Sequence, residues 1–145
     1  MSRFSAQVRE VVNRNVFVSL ALAQGYNAFL PVYDGGIDFL LYRESDGTIR
    51  KVQLKGRWSI DRKYLGRDLW VAFPIEHEWY LAPHDTMTGM QAATGFLETR
   101  SWKEVGLYVV PKPSKALREA CLPFRFGAIA PVAAAAEATD EVGEG

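Results

Sequence analysis

Asp38, Gln53 and Lys55 stand out in the stretch GGIDFLLYRESDGTIRKVQLKGR, Gly35 to Arg57, whose other residues read as two strands joined by a turn. An acid, an amide and an amine placed together on such strands can do phosphoryl chemistry. The Asp38 carboxylate can hold Mg²⁺ (or Mn²⁺), and Mg²⁺ is a hard cation that takes a few protein oxygens and keeps several waters; the Gln53 amide oxygen or the Leu54 carbonyl can add another. Lys55 can orient an attacking water or stabilise negative charge developing on a phosphate. The same three groups equally suit a half-exposed sheet with a cross-strand salt bridge, worth only ~0–1 kcal/mol at a surface.

Whether the three meet depends on the hairpin. Asp46-Gly47 is a two-residue type I′ turn signal, and with those residues at its centre Ser45 opposes Thr48, Leu40 faces Gln53 and Asp38 faces Lys55. Opposed residues share a face with Cβ atoms ~5 Å apart. Asp38, Gln53 and Lys55 therefore fall at one end of one face, while Ile37, Phe39, Leu41, Val52 and Leu54 form an apolar face that fixes the parity of the register.

The flanking elements follow from periodicity. Apolar residues Phe4, Val8, Val11, Val12, Val16, Leu20 and Ala23 recur at helical spacing from about Ser5 to Gln24, and Gly25 stops the helix. Tyr26 to Tyr33, broken by Pro31, suits an edge strand, and Gly36 to Arg43 and Thr48 to Lys55 are the hairpin strands. GRWSIDRKYLGR, from Gly56, has no clear period and reads as a loop or broken helix. Leu69 to Phe73 and Glu78 to Leu81 are further strands ended by Pro74 and Pro83. Ser101 with Glu104 suggests a capping box, and Ser114 caps a helix over Lys115 to Cys121.

A chain of 145 residues suits one domain, expected over residues 1–129, with a disordered acidic tail over 130–145. Equal numbers of acids and bases, 17 each, hide a polarity: the tail holds Glu137, Asp140, Glu141 and Glu144 and no base. Between residues 43 and 67 eight bases, Arg43, Arg50, Lys51, Lys55, Arg57, Arg62, Lys63 and Arg67, face three acids, Glu44, Asp46 and Asp61. A basic strip is the footprint of a phosphate-binding surface, or simply a solvated face. Trp58, Tyr64 and Trp70 among these cations could stack bases or belong to the core. His77 and His84 lack the spacing of a metal site. The single Cys121 forms no internal disulfide, and with no leader or membrane span in view a cytoplasmic protein is expected.

From the helix ending LAQGY, through LPVYDGGIDFLLY with Pro31, Asp34 and Asp38, to VQLKGR with Gln53 and Lys55, the chain resembles the PD-(D/E)xK nuclease superfamily. It is most similar to the small homing-endonuclease and resolvase-like members, some of which carry Gln in place of the second acid. The resemblance covers about residues 5–85. It implies a restriction-endonuclease-like α/β fold: an N-terminal helix, then a central mixed sheet of about 4–5 strands with flanking helices. It also implies Mg²⁺-dependent hydrolysis of DNA, with Asp38 as metal ligand, Gln53 as auxiliary ligand and Lys55 as catalytic cation. A Glu on the first helix reaches the metal in many members; Asn13 stands at the expected place and Glu10 one turn earlier. Arg57, Arg62, Lys63 and Arg67 are the expected nucleic-acid contacts. A homodimer is expected for cutting two strands, and the acidic tail would dock a protein partner. The alternative is an inactive module of this fold that binds nucleic acid or a protein.

Overall fold

The structure, a computed structural model, describes residues 3–128, and the tail expected at 130–145 lies outside the described residues. Helix α1 (Arg3–Ala23) ends at Gly25, whose φ of +87° turns the chain into strand β1 (Tyr26–Phe29). From Val8 onward the apolar stripe of α1 is buried only toward its C-terminus. Phe17 and Ala21 are fully buried, whereas Val8, Val11 and Val12 stay exposed.

Strands β2 (Phe39–Arg43) and β3 (Thr48–Leu54) form the hairpin, with Arg43 opposite Thr48 and Phe39 opposite Val52. This corrects the expected register by two residues, because the connection is four residues, Glu44–Gly47, and not a two-residue turn. A type I′ turn needs positive φ at both central residues, and only Gly47 has it, at +72°. Asp46 instead accepts a hydrogen bond from the Thr48 amide on Oδ1 (3.0 Å) and clamps Arg43 across the loop (2.7 Å). A shift of two preserves the faces, so Phe39, Leu41 and Val52 are buried together as the pattern required. Strand β2 also starts later than expected, since the chain before it turns at Gly36 (φ +99°).

β3 then runs parallel to β5 (Trp70–Ile75), pairing Val52 with Trp70 and Leu54 with Ala72. The crossover between them holds strand β4 (Trp58–Asp61) and a 3₁₀ turn at Arg62–Tyr64, where a loop or broken helix was expected. The strand escaped detection because Trp58, Ser59 and Ile60 are all buried and no alternation marks it. β6 (Glu78–Pro83) pairs antiparallel with β5, and β8 (Arg125–Ala128) with β6, which closes a six-stranded sheet in the order β1-β2-β3-β5-β6-β8. Pro74 does not end β5. β3 stops opposite Ala72, so at Pro74 that side of β5 is an edge, where a missing N–H costs no ladder bond.

Two cores flank the sheet. On one face α1 touches both edge strands, β1 and β8, so the sheet curls around Phe17, which stacks on Phe126 (centroids 4.7 Å) and meets Trp79 and Phe39. On the other, Val71, Phe73, Tyr80 and Ala82 pack against β4, its partner β7 (Leu107–Val110), the short helices α2 (His84–Met87) and α3 (Gln91–Thr94), and α4 (Lys115–Cys121). Trp58 is wholly buried here and Tyr64 nearly so, which assigns these aromatics to packing and not to base stacking; Trp70 is covered by Arg50 at 4.0 Å. Ser114 caps α4 through the Leu117 amide, as expected. Ser101 caps nothing: residues Ser101–Val105 form a π-helical turn, and Glu104 binds Arg100. Among the described residues no helix is long and apolar enough to cross a membrane.

Because α1 packs through its second half, Phe17→Ala should lower the unfolding free energy in urea by about 3–5 kcal/mol. Val12→Ala should stay within about 0.5 kcal/mol of the wild type. Equal losses at the two positions would mean that the whole stripe is core.

Candidate active site

Asp38 lies one residue ahead of β2 and is held in the ladder at both ends. Its N–H donates to the Val52 carbonyl (2.9 Å), and its Oδ2 accepts from the Leu54 N–H (2.7 Å). The regular register ends at Phe39 opposite Val52, and the Asp38 N–H turns back onto the Val52 carbonyl, so Asp38 is not paired with Lys55, which corrects the expected pairing. Gln53 sits between β2 and β5, next to Val71, and its Oε1 is buried with no hydrogen-bond partner. A buried carbonyl oxygen without a donor costs roughly 1–3 kcal/mol, so a group that satisfies it there would be bound favourably.

Lys55 follows β3. Its N–H donates to the Ala72 carbonyl (2.8 Å), which extends the parallel ladder by one bond and fixes its direction. The ammonium lies 5.7 Å from the centre of the Tyr64 ring. Tyr64 is in turn held edge-on by buried His84 (5.5 Å), whose Nε2 accepts from the Asp61 N–H (3.0 Å). Burial holds the His84 imidazole below its ordinary pKa, in keeping with a neutral ring that accepts this bond. His84 is thus a brace behind Lys55.

These residues open on a cleft of about 610 Å³ between α1, the β1–β2 loop and the C-terminal end of β3. Glu10, Asn13 and Arg14 line it from the helix, Asp34 from the loop, and Asp38, Gln53, Leu54 and Lys55 from the hairpin. Both residues weighed on the helix, Glu10 and Asn13, therefore face the cleft. Burial raises the Asp38 carboxyl above its ordinary pKa; the Leu54 N–H works against this, Asp34 and Glu10 add repulsion, and Lys55 pulls the other way. Asp34, Glu10 and Lys55 are each within electrostatic reach of Asp38. Asp34 was quoted in the sequence pattern without a role. Its position is set by a turn in which its Oδ1 accepts from the Gly36 N–H (3.0 Å).

Among the described residues, no three His, Cys, Asp or Glu side chains converge as a metal site by themselves. Arg57, Arg62, Lys63 and Arg67 are exposed and lie outside the cleft lining. Arg62 is committed to the fold: it donates to the Trp102 carbonyl, lies over the Trp102 ring (5.3 Å) and fills the space beside Gly106. Lys63 pairs with Asp61 (3.7 Å). Arg57 follows Gly56 at the cleft edge, and the Arg67 guanidinium approaches Gly36 of the β1–β2 loop.

Comparison with known proteins adds one firm point. No protein-family model matches the chain. No curated protein matches it in sequence either. Among solved structures it is similar to that of a bacterial homing endonuclease, I-Ssp6803I, with a TM-score of 0.53 and 16% identity, over 83% of this chain and 88% of that one. At that identity the likeness is one of fold, and the fold of this chain is a mixed α/β architecture similar to that of an endonuclease.

Proposed function

We propose that the protein is a metal-dependent DNA endonuclease of the Q-x-K form of the PD-(D/E)xK group. The observation that carries this reading is that a half-buried carboxylate, Asp38, the Gln53 amide with its orphaned buried oxygen, and Lys55 line one open cleft. The likeness of fold to an endonuclease supports it.

The donor set fits a hard divalent cation. An oxygen buried without a donor and a carboxyl whose pKa is raised by burial are both relieved by a positive charge. Asp38, the Gln53 amide oxygen and the Leu54 carbonyl are the proposed ligands, with Glu10 as an outer acid. Bound there, Mg²⁺ or Mn²⁺ would supply Lewis acidity and charge neutralisation at the scissile phosphate. Lys55 stabilises the charge that develops on the phosphate and holds the attacking water. Tyr64 and His84 keep the Lys55 stem in place. Arg57 and Arg67 hold flanking phosphates. The neutral Gln53 favours a second reading, a module that binds DNA without cutting it.

Incubating the protein with supercoiled plasmid in Mg²⁺, Mn²⁺ or EDTA decides between the two. Cleavage should require metal and fall at least ~100-fold in Asp38→Asn and in Lys55→Ala. Metal-independent or unaltered cleavage would sink the nuclease reading, and salt-dependent binding without cleavage in any metal would establish the module.

Stability offers a second readout. A folded pKa raised above the unfolded value means that Asp38 contributes full stability below about pH 4 and loses it as pH rises through the folded pKa. Metal-free Asp38→Asn should therefore melt above the wild type at pH 7, and the gap should narrow as pH falls toward 4. Mg²⁺ at pH 7 should raise the melting temperature of the wild type and not that of the variant. A variant less stable than the wild type at pH 7 would show that Asp38 is a structural residue.

A further inference from the structure

The loop between β1 and β2, LPVYDGG from Leu30 to Gly36, puts Val32 and Tyr33 where they contribute nothing to the core. Val32 and Tyr33 are 108% and 84% exposed, although Leu30, Pro31 and Asp34 on either side of them line the cleft. The two side chains therefore project into solvent from a loop whose neighbouring residues line the candidate site. Defined contacts hold the loop in shape: Asp34 Oδ1 accepts from the Gly36 N–H, Gly36 takes a φ of +99° that favours glycine, and the Tyr33 ring lies against Gly35.

A cation stands at the far end of the loop. The Arg67 guanidinium is next to Gly36; the Arg67 N–H donates to the Tyr64 carbonyl (3.2 Å), and the Arg67 carbonyl accepts from Lys51 Nζ (3.0 Å). An aromatic ring and a β-branched side chain on a braced loop, flanked by a guanidinium and opening onto a carboxylate cleft, match one ligand chemistry well. Apolar side chains that enter a base step unstack it, and a neighbouring cation holds the phosphate.

We propose that Val32 and Tyr33 form a wedge that enters a base step of the bound duplex beside the phosphate presented to Asp38. This rests on the nucleic-acid reading above and adds to it a preference for duplex that unstacks easily. Tyr33 and Asp38 are five positions apart, a contour of at most about 18 Å, so the wedge contact falls within about five base pairs of the phosphate at the site. Exposure also means that the wedge can be removed without unfolding the protein.

The test measures fluorescence anisotropy in EDTA, with a short labelled duplex of mixed sequence, intact or carrying a one-nucleotide gap. A gapped duplex has already lost a stacking step, so the wild type should bind it about tenfold more tightly than the intact one. Val32→Ser/Tyr33→Ser should abolish that preference while keeping the melting temperature and the salt dependence of binding. Equal affinity of the wild type for both duplexes, or a preference retained by the double variant, overturns the wedge. A double variant that keeps the preference but sediments as a smaller species overturns it in favour of a contact between copies of this chain. Absence of salt-dependent binding to either duplex overturns the nucleic-acid reading itself, which separates the two failures.

Discussion

The parallel pairing of β3 with β5 is the constraint on which the rest of the structure depends. Its three residue pairs, Val52 with Trp70, Gln53 with Val71 and Leu54 with Ala72, join the hairpin half of the sheet to the half built on β5 and β6. Parallel strands need a long crossover, and here that crossover is the segment holding β4, Tyr64 and the exposed bases Arg57 and Arg67. The same pairing makes β3 an interior strand, which is why the Gln53 amide oxygen is buried although its residue type belongs at a surface. Ending the ladder with the Lys55 N–H on Ala72 leaves the Lys55 side chain at the strand terminus, where a site can use it.

The polar end of β3 is costly to stability. A half-buried carboxyl is pushed up in pKa, an amide oxygen goes without a donor, and Asp34 and Glu10 add like charge. An apolar residue in place of Gln53 would pack against Val71 at less expense. Groups kept in conflict with local stability are the ordinary mark of a functional site. The surrounding support is correspondingly strong: the Leu54 N–H holds Asp38, Tyr64 and His84 stand behind Lys55, and the Asp61 N–H fixes His84.

Much of this was legible in the residues, and the failures have specific causes. The apolar alternation of Phe39, Leu41 and Val52 settles which face is buried, and it survives an error in the turn because a shift of two keeps parity. Turn chemistry misled where Asp46 binds Arg43 and Thr48, a side-chain clamp that a dipeptide signal does not reveal. The stripe on α1 overstates its packing because periodicity shows that a helix is amphipathic and not how much of it is covered. β4 and β8 lack alternation or length, and Asp34 entered the cleft through a loop whose path no period describes. Arg62 shows the same limit for charge: its sequence neighbours suggest a phosphate contact, while Trp102 and Gly106, some forty residues on, claim it for packing.

The distribution of charge in and around the cleft explains why neither half of the surface suffices for a polyanion. Inside, three acids, Glu10, Asp34 and Asp38, outnumber two bases, Arg14 and Lys55. A phosphate entering alone would meet net repulsion at close range. Outside, Arg57 and Arg67 are exposed, and on the proposed reading they attract a backbone without regard to sequence. On that reading, attraction at the rim and repulsion at the floor would hold a bound strand across the mouth until positive charge at the floor offsets the acids. On the proposed reading, binding and cutting are separable: the rim sets affinity and its salt dependence, and the occupancy of the Asp38 and Gln53 oxygens sets reactivity. The neutral Gln53 has a place in that balance, since a fourth acid would deepen the repulsion, whereas an amide oxygen adds a ligand without adding charge.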